Sequence, residues 1–126
     1  MNLQLSLKTK WFEMTKAGIK TEDYREINGY WFKRLVFQYE KVSKYYNIDP
    51  NNDIEVKTIC SDSFWKTTIA FKQFSTNTMT LGYPKKGDPD RIIQFEHAGI
   101  EIRTGREEWG AEPNKLYFVI KHGKRI

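Results

Sequence analysis

Cysteine is nearly absent from this chain: Cys60 stands alone among 126 residues. No intrachain disulfide can form, and a reducing compartment is the natural setting. Histidine is almost as scarce, with only His97 and His122. A zinc site of ordinary ligand spacing cannot be built from them, so neither a metal nor a cofactor is expected. No apolar run approaches the thickness of a bilayer, and MNLQLSLKTK lacks the core of a signal peptide. The expectation is a cytoplasmic protein with no membrane partner. Motifs of common enzymes are missing too. No Ser-His-Asp arrangement stands out, and GYPKKG (82–87) has glycines and lysines without the GxxxxGK[ST] pattern or a following helix. The neighbouring carboxylates Glu22-Asp23 and Glu107-Glu108 would point to opposite faces of a strand, which argues against a shared proton.

What is present describes one folded domain spanning residues 1–126. Charged residues make up 29% and aromatics 15%, with four Trp, seven Tyr and eight Phe, so most rings must serve the core. The net charge of +5 is compatible with a polyanionic partner, because cations that neutralise phosphates release counterions.

The opening LQLSLK (3–8) alternates leucine with polar residues, the period of a half-buried strand. Thr9 is placed to cap a short helix that Gly18 ends, and KTEDYREI then reads as extended. After Asn28-Gly29, Phe32, Leu35, Val36, Tyr39, Val42 and Tyr46 form one stripe, predicting a single long helix over 30–48. Lys33, Arg34, Lys41 and Lys44 fall mostly off that stripe and give a basic outer surface. Alternation predicts strands over 54–59, 64–74 and 77–83, two more around Ala98-Gly99, and a last one over 115–123 that is apolar on both faces. The fold expected is α+β: a small, mostly antiparallel β-barrel with two flanking α-helices.

Chemistry concentrates in AGIKTEDYRE (17–26), where Lys20, Glu22, Asp23, Arg25 and Glu26 crowd around Tyr24. On a regular strand Thr21, Asp23 and Arg25 share one face and Glu22 and Tyr24 the other, with Lys20 left in the turn. A lysine and an arginine beside a carboxylate would hold it ionised, and Arg25 offers a bidentate fork to a phosphate or carbonyl. Charge spacing alone leaves a site and a set of surface salt bridges both open.

The same stretch resembles the ASCH domain motif GxKxxExR, with Gly18, Lys20 and Arg25 matching and Asp23 standing at the acidic position. LSLKTKWFEMTKAG resembles that family's opening strand and helix. The tail GIEIRTGREEWGAEPNKLYFVIKHGK (99–124) is similar to the end of its bacterial and phage branch, typically GxGxxxWGAxPxKxYFVIxxG. Arg103 replaces the first glycine of that run, and the middle of the chain (38–75) carries little of the likeness. The resemblance implies a PUA-like fold whose cleft the lysine, acid and arginine line.

It also implies RNA or a nucleotide-like ligand as partner. Lys20 and Arg25 would meet phosphate or a base edge, Asp23 would orient them, and Tyr24, Tyr83 or Trp109 would stack on a base. Arg103 would extend a positive track. The alternative is a small hydrolase of modified nucleosides or of RNA. One branch of the family is an amidohydrolase of N4-acetylated cytidine that uses a lysine, a threonine and a glutamate. Its threonine falls where this chain has Asp23, so Lys20 would act as base with Asp23 or Thr21 assisting.

Overall fold

The computed structural model describes residues 1–82 and 88–126. Tyr83, Lys85 and Lys86 lie outside the described residues. In chain order the elements are β1 (Asn2–Leu7), α1 (Thr9–Lys16), β2 (Glu22–Arg25), α2 (Gly29–Leu35), α3 (Tyr39–Tyr46), α4 (Asp53–Cys60), α5 (Ser63–Thr68), β3 (Thr76–Leu81), β4 (Ile92–Thr104), a 3-10 turn (Glu107–Trp109) and β5 (Leu116–Arg125).

The five strands form one curled sheet in the order β1-β3-β4-β5-β2. Three of its pairings are antiparallel, whereas β1 runs parallel to β3 with Asn2 opposite Thr76. The architecture is therefore α+β with a mixed half-barrel. Leu3, Leu5 and Leu7 of β1 turn inward as their alternation predicts. They join Phe12, Phe32, Leu35, Met79, Phe118 and Ile120 in the main core. β5 lies between β4 and β2 and is covered on both sides, which explains its double apolar character. Phe118 and Ile120 face the main core, while Tyr117 and Val119 pack with Ala111 and Tyr24 in a second cluster.

The helices depart from expectation, and the count of two flanking helices is corrected to five among the described residues. The stripe over 30–48 is real, with Phe32, Leu35 and Val36 fully buried, but the helix breaks after Leu35. Val36 is extended and bridges Phe71, with Phe37 N donating to Ala70 O (3.0 Å) and Lys72 N to Leu35 O (2.8 Å). Backbone groups that would continue the helix are thus taken by the 70–72 segment. Gln38 then turns left-handed to start α3.

The strands predicted over 54–59 and the first part of 64–74 are helices instead. Asn52 accepts from the N–H groups of Ile54 and Glu55, and Asp62 from that of Trp65, so both segments start from side-chain N-caps. Val56, Ile59 and Cys60 are the buried set of α4, a helical spacing that outweighs the alternation of Ile54, Val56 and Thr58. Thr9 is the first residue of α1 and Lys8 takes the capping position without a side-chain bond.

The end of α1 determines where the charged strand begins. Gly18 adopts φ +77°, its N–H bonds Thr15 O (3.1 Å), and Ile19 N bonds Met14 O (3.0 Å). This is the Schellman arrangement that a left-handed residue permits. Lys20 N also reaches Met14 O (3.1 Å), so the cap delivers Lys20 to the head of β2. Nothing lies within 4 Å of a Cβ added at Gly18, leaving backbone strain as the only penalty. Gly18→Ala should therefore destabilise the protein by about 1 kcal/mol, read as a lower urea midpoint at an unchanged slope.

Candidate functional site

Strand β2 is where the charges sort. Asp23 and Arg25 pair with Ile120 and Phe118 and so share the face that looks into the half-barrel. Glu22 and Tyr24 pair with Lys121 and Val119 on the opposite face.

On the inner face Lys20, only 2% exposed, donates from Nζ to Glu22 O (2.6 Å) and to Asp23 Oδ1 (3.2 Å). Arg25 Nε donates to the other oxygen, Asp23 Oδ2, at 2.7 Å. Burial alone would raise the Asp23 carboxyl, but the charges of Arg25 and Lys20 outweigh it and hold the group below the ordinary carboxylate range. Arg25 reaches further: its Nη2 donates to Ser6 O of β1 (2.9 Å) and its guanidinium lies 5.0 Å from the Trp31 ring centroid. The two strands at opposite ends of the sheet order are thus joined by a side chain.

On the outer face Glu22 is clamped by Arg103, with Nη2 to Oε1 at 2.6 Å and Nη1 to Oε2 at 2.9 Å. Arg103 Nε donates to Glu101 (2.6 Å), so the guanidinium is committed on every nitrogen. The Tyr24 hydroxyl donates to Glu22 (2.7 Å) and accepts from Arg106 N (2.9 Å). Burial first, helped by the bond to Glu22, pushes that phenol up to about 12.

A cleft of about 340 Å³ opens beside β2, with Lys20 and Asp23 in its wall and the rings of Trp11, Tyr24, Trp109 and Tyr117 around them. Lys115 stands in the lining between Glu26 (2.6 Å) and Glu112 (2.9 Å). Gly110, at φ +100°, keeps the far wall open: a Cβ there would meet the Trp11 ring at 2.8 Å. A larger hollow of about 970 Å³ lies along Phe37–Glu40 and Ala70–Gln73, but it gathers none of the chemistry of the 17–26 stretch.

Of the residues predicted for the site, Lys20, Asp23, Tyr24 and Trp109 line this cleft. Arg25 holds Asp23 from the seam and does not line it. Arg103 sits on the outer face, bound to Glu22, and Thr21 is exposed outside the lining. Tyr83 is outside the described residues. Glu26, a member of the charged 17–26 cluster, also lines it. Trp11, Gly110, Glu112, Lys115 and Tyr117 complete the lining, and sequence reasoning does not single them out as site residues. The WGAEPNKLY stretch carries several of them, but no local spacing ties that stretch to β2.

The two histidines form a second polar cluster. Asn77, fully buried, donates from Nδ2 to Lys121 O (3.1 Å), which fixes the orientation of its amide. Its Nδ2 also meets His122 Nδ1 (2.9 Å) and its Oδ1 meets His97 Nδ1 (2.7 Å). His122 Nδ1 must then accept and His97 Nδ1 must donate. His122 also stacks on Phe95, and its Nε2 is buried with no partner among the described residues. Among the described residues no group of three or more His, Cys, Asp or Glu is placed to hold a metal, and no helix is long and apolar enough to cross a membrane.

Compared with family models, curated proteins and solved structures, the chain finds no match.

These contacts carry two expected outcomes. Asp23→Ala leaves the buried Lys20 and the half-buried Arg25 facing each other without their shared anion. It should cost about 3 kcal/mol, measured by denaturant unfolding. Burial, aided by the Lys20 and His97 charges, lowers His122 from 6.5 to about 4 against the opposing pull of Asp23 and Glu22. The unfolded chain therefore takes up that proton first. Stability is whole above about pH 6.5 and falls by up to about 3 kcal/mol as pH drops to 4. Urea melts across that window should show the loss, and His122→Phe should show less of it.

Proposed function

We propose that the cleft beside β2 binds a base of RNA or of a nucleotide-like ligand, as an ASCH domain of PUA-like fold would. The observation that carries this reading is the pairing of aromatic walls with a buried donor and acceptor. Trp11, Tyr24, Trp109 and Tyr117 supply faces and edges for a planar ring. Lys20 Nζ uses two of its three hydrogens on Glu22 O and Asp23, leaving one for a ligand acceptor. Each Asp23 oxygen accepts one bond from Lys20 or Arg25 and keeps a lone pair for an exocyclic amine.

Charge decides which part of a nucleotide enters. The lining has two cations, Lys20 and Lys115, against three carboxylates, Asp23, Glu26 and Glu112. A phosphate gains nothing there, whereas a neutral heterocycle with a donor next to an acceptor fits. Hydrolysis of a modified nucleoside or of RNA is the second reading, because a buried lysine and carboxylate do meet in the cleft. It is the weaker of the two. Asp23 is already shared between two cations, and Thr21 stands outside the lining.

Titration of the tryptophan fluorescence with nucleosides and their monophosphates tests the proposal. Saturable quenching is expected, of similar affinity with and without phosphate. Trp11→Ala should weaken it about tenfold while Lys44→Ala leaves it unchanged. Absence of saturation with every nucleoside, or equal behaviour of the two variants, overturns it. Release of product from acylated nucleosides or RNA, lost in Lys20→Ala, would instead establish the hydrolase.

A further inference from the structure

Helix α2, GYWFKRL, contains no acidic residue, and its exposed side carries an aromatic and guanidinium array. Arg34 lies over two rings at once, 5.6 Å from the Tyr30 centroid and 5.5 Å from that of Trp31. Tyr30 and Trp31 meet edge to face at 5.1 Å. Arg25 adds a second guanidinium over Trp31 at 5.0 Å. The array is held in place from below. Trp31 packs against the main core, its N–H is taken by the Asn28 cap, and Arg25 is pinned by Asp23 and Ser6.

Its charge is not balanced. The carboxylate nearest Arg25 is Asp23, which Lys20 also claims, and Arg34 has no carboxylate partner among the described residues. Two cations therefore share Asp23, and the charge of Arg34 is left over. Tyr30 is 59% exposed although it is a large ring on a small domain. Arg34, exposed and laid on two aromatic faces, presents its N–H edge to phosphate oxygens, whereas Arg25 has Nε and Nη2 committed and only Nη1 to offer. The exposed Tyr30 ring is a platform for a base.

We infer that Tyr30, Trp31, Arg34 and Arg25 form a second binding surface, a track for single-stranded nucleic acid on the outside of α2. This inference rests on the nucleic-acid reading of the protein but not on the cleft itself. It separates two tasks: the acidic cleft takes a base, and this cationic surface takes the backbone and a stacked neighbour. An acidic peptide would use the charges alone and gain nothing from the open Tyr30 face. A strand that alternates phosphate with a planar base offers a partner to both the guanidinium and the ring.

Fluorescence anisotropy with a short labelled oligouridylate at two salt concentrations tests it. Tyr30→Ala and Arg34→Gln should each weaken the oligonucleotide about tenfold, and Arg34→Gln should flatten the salt dependence by about 0.7 in logarithmic slope. Both variants should quench with nucleosides as the unaltered protein does, and both should melt at its temperature. If either binds the oligonucleotide as tightly as the unaltered protein, or if nothing binds it, the track is refuted. Equal competition by polyglutamate or by phosphatidylserine vesicles also refutes it. Sensitivity to Tyr30 and Arg34 without any nucleoside binding supports the track and removes the cleft reading alone.

Discussion

A buried carboxylate shared between two cations holds this protein's sheet in its curl. β1 and β2 are the two ends of the strand order, and among the described residues no ladder of backbone bonds joins them. Arg25 spans the gap to Ser6 O through Nη2 while Asp23 holds its Nε. Lys20 enters the same carboxylate from the turn after α1. Ion pairs buried this way offset a large desolvation cost and add little net stability. Their value here is geometric, because they set where the seam closes and where the cleft beside it opens.

The alternation of β2 divides one charged segment into two separate devices. Asp23 and Arg25 work inside the half-barrel, whereas Glu22 and Tyr24 anchor the outer face to Arg103 and to the loop at Arg106. Gly105 belongs to that anchoring, since a Cβ there would strike the Tyr24 ring at 2.6 Å. The molecule is cationic overall at +5, yet the cleft lining is acidic by one charge. The positive excess therefore lies elsewhere, and α2 is one place where it collects.

Much of this is legible in the sequence wherever a local period meets a local signal. The Leu3-Leu5-Leu7 alternation, the Gly18 stop, the turn position of Lys20 and the two faces of β2 all follow from a few adjacent residues. The doubly apolar β5 is readable for the same reason. The middle misleads where two signals compete. In PNNDIEVKTIC the β-branched alternation suggests a strand, but Asn52 caps a helix and Val56, Ile59 and Cys60 bury one helical face. The break at Val36 is invisible because its cause, pairing with Phe71, lies far along the chain. Trp11, Lys115 and Tyr117 escape notice as cleft residues on similar grounds, since only the sheet order brings α1 and β5 alongside β2.

The parallel pairing of β1 with β3 has a consequence for how the chain reaches this state. Asn2 is matched with Thr76, and the Ser75 hydroxyl donates to Met1 O across 74 positions. β1 must wait for a partner separated from it by five helices and β2. Contacts of such long sequence separation cost loop entropy before they return any stability. The local hairpin-like pairs β3·β4 and β4·β5 have far less chain to close. Folding should thus nucleate in the second half of the chain, with the leucine strand docking late. The seam at Arg25, which needs β1 in place to supply Ser6 O, would be among the last contacts made.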